Sequence, residues 1–174
     1  VTAIRKYDQN HMIFGPKLDK PHQGSFRGMS KWVDVILYDY YGNAWTAEHA
    51  MIDRFYRWGG KPMINAEWYC KGADACTEES GLTNFSGVGY QATTQAERGY
   101  YYQNFVLNMM ESKAFIGWHW FRYVDNPGRE DKQFDEGADT NANKGIYTNK
   151  YEPWPEILSQ MKMVNKNVYS LADY

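Results

Sequence analysis

Apolar positions along the chain fall into short runs separated by stretches with helical spacing. Residues 11–18 (HMIFGPKL) make a short apolar strand that leaves through Gly15-Pro16. Residues 32–41 (WVDVILYDYY) are dense in β-branched and aromatic side chains and make a second strand ending at Gly42-Asn43. The run at 61–69 (KPMINAEWY) is too short for a helix, opens on Pro62 and follows Gly59-Gly60, which ends the element before it. It reads as a third strand delivering Glu67 to its carboxyl end. Strict alternation would put Met63, Asn65 and Glu67 on one face. Residues 114–123 (AFIGWHWFRY) form a fourth strand, interrupted by Gly117 where another group could approach closely.

Helical spacing fills the intervals. Residues 1–7 read as the last turns of a helix, with Ile4 and Tyr7 three apart, closed by Asp8-Gln9-Asn10. Residues 19–30 are loop with at most a short helix. From a Thr46 cap, Ala47, Ala50, Met51, Phe55 and Trp58 mark one helical face. Thr94 and Glu97 have capping-box spacing, and Tyr102, Phe105, Val106, Met109 and Met110 follow as a stripe best explained as core. Pro153 or Pro155 opens a last helix with Trp154, Ile157, Leu158, Met161, Val164, Val168 and Leu171 on its buried side. The long connection from after Trp68 to about Ala92 is a candidate binding loop, and residues 125–151 form a second long loop, polar and Gly-rich.

Strands alternating with helices imply a parallel sheet covered by helices. Four such units are half of an eightfold (β/α) barrel, which usually needs about 250 residues. The expected fold is therefore α/β, half of a TIM (β/α)8 barrel, with residues 1–174 as a single domain. No internal repeat or linker divides the chain.

Composition narrows the chemistry. Lys+Arg 19 against Asp+Glu 21 gives a net charge of -2 with no basic stripe, which argues against nucleic acid. No apolar run approaches the roughly 20 residues that span a bilayer, so no membrane association is expected. The chain begins at Val1 without a Met, which fits an upstream piece removed or not included. Aromatic residues make up 17%, with 7 Trp and 15 Tyr. Such rings fill cores and, beside Asp, Asn and Gly, also stack on sugars. Cys70 and Cys76 have no zinc spacing, and a small loop disulfide and two free thiols are both open. No metal or organic cofactor is suggested.

Taken together, the strand ends resemble the second half of a clan A glycoside hydrolase barrel. The Asp8-Gln9-Asn10-His11 turn resembles the approach to the fifth strand, Tyr38-Asp39-Tyr40-Tyr41-Gly42 the sixth, residues 61–68 the seventh, and Gly117-Trp118-His119-Trp120 the eighth. Thr94-Gln95-Ala96-Glu97-Arg98-Gly99 with Tyr102-Gln103-Asn104-Phe105, then Gly117-Trp118-His119-Trp120-Phe121 and Asn143-Lys144-Gly145-Ile146, are similar to bacterial agarase-like hydrolases of marine galactans. The resemblance runs nearly the whole chain.

It implies a retaining glycoside hydrolase acting on an agarose- or porphyran-like galactan, with Glu67 as nucleophile. Tyr40 is the candidate for the Tyr that hydrogen-bonds the carboxylate, with Tyr38 next on the same face. Trp120 is the expected floor of the sugar subsite, Trp118 lies one layer deeper, and Trp68, Asn126 and Lys144 are further substrate contacts. Arg122 and Asp125 are loop candidates of the same kind. Each residue also has a plain structural reading: Glu67 just past a buried strand, Tyr40 packed under a helix, Trp118 in the core, and His119 a packing residue facing away from both tryptophans. The acid/base Glu of this clan usually follows an Asn at the end of the fourth strand, and no Asn-Glu pair occurs here. The chain is thus expected to be inactive without an amino-terminal half-barrel, supplied by the same gene, a separate chain or self-association. Secretion or a periplasmic location follows from the resemblance only. The alternatives are a non-catalytic, truncated galactan binder and a clan A β-galactosidase-type enzyme.

Overall fold

The computed structural model describes residues 1–42, 45–127 and 141–173. Its centre is a parallel sheet in the order β1 (Ile36–Tyr38), β2 (Met63–Trp68), β5 (Phe115–Trp120). Residues 13–18 run parallel along the open side of β1. Asp34 N donates to Ile13 O at 2.8 Å, Gly15 N to Val35 O at 3.1 Å, and Leu18 N to Leu37 O at 3.1 Å. Four extended segments therefore lie side by side in chain order, as the strand pattern leads one to expect.

Helices α3 (His49–Gly59) and α4 (Gln95–Glu111) form the crossovers, and α5 (Pro155–Ala172) packs on α4. Shorter helices, α1 (Thr2–Arg5) and α2 (Gln23–Met29), flank the first extended segment. The end of α3 is set by Gly60, whose φ of 60° is left-handed and whose N–H returns to Tyr56 O. Its start differs from expectation: Glu48, not Thr46, is the N-cap, and no side chain caps it. On α4 the cap is as read, with Thr94 Oγ1 accepting from Glu97 N while Glu97 Oε2 accepts from Thr93 N. On α5 only Ile157, Met161 and Val164 are fully buried, and Leu171 reaches solvent.

The core between sheet and helices is aromatic. Phe55 packs edge-on against Tyr38 at 5.0 Å, and Trp68 stacks on Phe105 at 4.4 Å. On the other side of the sheet Phe14 and Ile116 are 46% and 58% exposed, large apolar side chains with little cover among the described residues. A second, two-stranded parallel sheet, β3 (Cys70–Gly72) with β4 (Tyr90–Ala92), continues the chain beyond β2. Cys70 is buried and Cys76 exposed, and both are free thiols.

Candidate active site

Glu67 is placed by an irregularity in its strand. Between β2 and β5 the register runs Asn65 to Trp118 and then Trp68 to Trp120, three residues against two. Met63, Asn65 and Trp68 are consequently all fully buried, and Glu67 does not share their face. It keeps 18% side-chain exposure at the carboxyl end of the sheet.

There its two oxygens are held by different elements. The Tyr41 hydroxyl donates to Oε1 at 2.7 Å, and the Lys17 ammonium donates to Oε2. Lys17 also lies 3.2 Å from Asp39 Oδ2. Asp39, only 8% exposed, leaves its Oδ1 without a partner among the described residues. Burial pushes the Asp39 carboxyl above its ordinary range, partly offset by the Lys17 hydrogen bond. The hydrogen bond to Glu67 raises Lys17. Burial, then the bond to Glu67, raises Tyr41, so its hydroxyl stays a donor.

These groups border a cleft of about 420 Å³ whose lining includes Asp19, Lys20, Asp39, Tyr41, Glu67 and Val88, together with Tyr38 and Tyr40. A carboxyl group oriented by an O–H and an ammonium and open on a cleft is equipped to act as a nucleophile or a general base. Among the described residues no cluster of three or more His, Cys, Asp or Glu is arranged to hold a metal ion.

Several expected site residues stand elsewhere. Tyr40 does not reach Glu67: its hydroxyl accepts from Glu48 N at 2.6 Å, and its ring is 2% exposed, stacked against Phe115. Burial raises Tyr40 and Tyr38 to about 12. The alternation that pairs Tyr38 with Tyr40 also pairs Asp39 with Tyr41, and the second pair is the one bearing on Glu67. That Asp was the available signal for the polar face. Trp68 is fully buried on α4 and offers no surface to a ligand.

Trp118 and Trp120 face the helices too. Trp118 Nε1 donates to Tyr102 OH at 2.8 Å, and Trp120 Nε1 to Lys144 O at 2.8 Å. Neither lines the cleft, while His119 between them is exposed. Lys144, fully buried, lies over the rings of Tyr69 and Phe121, and Asn126 is 6% exposed. Burial withdraws both from substrate in this arrangement. Arg122 donates its N–H to Lys144 O, and part of the second long loop lies outside the described residues.

Beyond β2 and β5 a dense polar network ties the loops together. Arg98, fully buried, donates to Cys70 O, Gln95 Oε1 and Gly145 O. Asn143 receives Gly72 N and Gln95 Nε2 on its oxygen and donates to Asp125, which also accepts from Gly145 N and Trp154 Nε1. Lys71 donates to three carbonyls of the next loop, Asn84, Ser86 and Gly87. Burial raises the Asp125 carboxyl against these donors. Asp125 is thus a structural acid rather than a rim acid.

No family model matches the chain. It is 27% identical over 177 residues to Beta-agarase B of Vibrio sp. (strain JT0107), a match that takes in 98% of this chain and 17% of that protein. The crystal structure of BpGH50 superimposes with a TM-score of 0.81 at 30% identity, over 99% of this chain and 35% of that one. The agarase AgWH50C superimposes with a TM-score of 0.77 over 98% of this chain and 23% of that one; at 21% identity this speaks to the fold alone. The chain is therefore similar to agarases and shares the α/β fold of these hydrolases, while spanning about a sixth of the length of the curated relatives it matches.

Proposed function

We propose that these residues form the nucleophile-bearing half of a (β/α)8 barrel in a retaining glycoside hydrolase acting on a β-linked galactan of the agarose or porphyran type. The observation that carries the reading is Glu67 at the carboxyl end of β2, held by Tyr41 and Lys17 on an open cleft, in a chain similar to β-agarases over almost its whole length. The four extended segments would be strands five to eight. The apolar face around Phe14 and Ile116 would meet the other four strands, whether they belong to the same polypeptide, a second chain or another copy.

In the first step a Glu67 oxygen attacks the anomeric carbon, and an acid about 5–5.5 Å away protonates the leaving oxygen. That acid would come from the other half of the barrel, and after losing its proton it serves as the base that activates water in the second step. Tyr41 replaces Tyr40 as the donor to the nucleophile. A polymeric substrate places the work outside the cytoplasmic membrane, and no helix among the described residues is long and apolar enough to cross one.

The test uses the complete catalytic polypeptide and a galactosyl inactivator whose hydroxyl next to the anomeric carbon is replaced by fluorine. Peptide mapping is expected to find the sugar on Glu67, with products of retained anomeric configuration. Inversion, or a label on another residue, would overturn the reading.

A further inference from the structure

We infer that Lys17, seated on Asp39, is a positioning residue that controls how fast the bond between Glu67 and a sugar breaks. The inference rests on the nucleophile reading above and extends it to a pair of residues from two other elements.

Lys17 comes from the extended segment before β1, just past Gly15-Pro16, and its side chain crosses the end of β1 to reach Glu67 on β2. Its ammonium is shared by two carboxylates. One of them, Asp39, is buried and carries an oxygen unpartnered among the described residues, where Lys17 is the cation it pairs with. The simplest use of Asp39 is to hold Lys17. The charged and titratable groups around the pair are Asp19 and Lys20 on the first connection, Tyr38 at the end of β1, Tyr40 and Tyr41 just beyond it, and Glu67 on β2, with Tyr69 edge-on to Tyr41.

The consequence differs between the two steps of retaining hydrolysis. In the second step water attacks the anomeric carbon and gives its proton to the base carboxylate from the other half of the barrel. The carbon–oxygen bond to Glu67 breaks with its electron pair going to the carboxylate. Negative charge therefore develops on Glu67 while it leaves, and a preorganised ammonium beside it stabilises that charge. In the first step the same ammonium restrains the attacking oxygens, so its loss costs little there. Asp39 keeps the site from carrying an unbalanced cation once Glu67 is esterified, when Lys17 keeps its ion pair with Asp39.

The test uses the complete catalytic polypeptide with dinitrophenyl β-galactoside, whose good leaving group makes breakdown of the glycosyl-enzyme limiting. Lys17→Met is expected to lower kcat by about 10- to 100-fold and KM in parallel, with kcat/KM held within about threefold. Intact-mass analysis should find galactosyl-enzyme accumulating on Glu67. Lys17→Arg should restore part of kcat, and Asp39→Asn should lose about threefold to tenfold in the same direction. Lys17 is half-exposed, so its substitution should leave the fold intact, checked by thermal melting. An unchanged kcat, or a fall in kcat with KM unchanged or raised, overturns the inference. If the wild-type enzyme never forms an adduct on Glu67, the nucleophile reading falls; if the adduct forms and its breakdown ignores Lys17, only the present inference does.

Discussion

Two groups of polar side chains gather beyond the carboxyl ends of the strands, and they are finished in different ways. The side-chain polar atoms of Arg98, Asn143 and Asp125 themselves all have partners, and the three residues are at most 2% exposed, although the neighbouring Asn126 Oδ1 has none among the described residues. Around Glu67 the carboxylate is partly exposed, Lys17 is half-exposed, and Asp39 Oδ1 is left over. A satisfied network holds backbone in place because breaking any one bond strands its partner in a dry interior. An incompletely satisfied one, open on a cleft, keeps capacity for a ligand. The first group ties the segments around Cys70, Gly72, Asn84 and Gly145 to one another, while the second stays open on the cleft.

The sharpest way to break this contrast is to substitute once in each region. Glu67→Gln should lower kcat by about 1,000-fold or more, while substrate binding survives and the melting temperature stays within about 3 °C, since the ion pair it weakens is partly exposed. Activity within tenfold of wild type would remove Glu67 from the chemistry. Arg98→Met should do the reverse. It leaves the Cys70 and Gly145 carbonyls without their donor and should cost about 3 kcal/mol or more in urea unfolding, against a smaller change in kcat per folded molecule. A stable Arg98→Met protein with no activity would mean the network belongs to the site after all.

How much of this could be read from the chain follows the same division. The strands, the helix stripes and Glu67 itself come from local pattern: apolar runs bounded by Gly and Pro, a capping box, and an acid at a strand end. The residues around Glu67 were less legible, because they depend on register. Alternation over 38–41, at and just past the end of β1, separates Tyr38 and Tyr40 from Asp39 and Tyr41, yet only the position of α3 decides which pair lies under a helix. The irregular pairing of β2 with β5 turns Trp68 into the core and Glu67 out of it, and single-strand alternation cannot show that. Lys17 is joined to Glu67 across 50 positions of sequence, and a lone Lys after Gly-Pro carries no local sign of it. The polar network was visible only as residues of the agarase-like motifs, Arg98 and Asn143 among them, with nothing to tell a ligand contact from a loop tie.

The adjacent tyrosines give a finer version of the contrast. Tyr41→Phe removes a hydrogen bond to a carboxylate and should lower kcat by about tenfold with little change in stability. Tyr40→Phe removes the acceptor for Glu48 N at the start of α3 and should cost about 1 kcal/mol of stability with a smaller effect on kcat. Equal effects on kcat would return Tyr40 to the site.

The smallest expected effect concerns Asp39, a buried carboxyl on the cleft. Its carboxyl titrates above its ordinary value of 3.8 because burial outweighs the help from Lys17. In the window just above 3.8 the folded chain therefore binds more protons at this site than the unfolded chain, so its contribution to stability falls as pH rises. Asp39→Asn removes that titration. The stability of Asp39→Asn relative to wild type, from urea midpoints at successive pH values, should accordingly rise with pH from about 4 upward. A difference that falls instead would mean that the charge on Lys17 outweighs the burial. Asp39 would then be held chiefly by its ion pair with Lys17, unlike Asp125, whose carboxyl is raised by burial despite its donors.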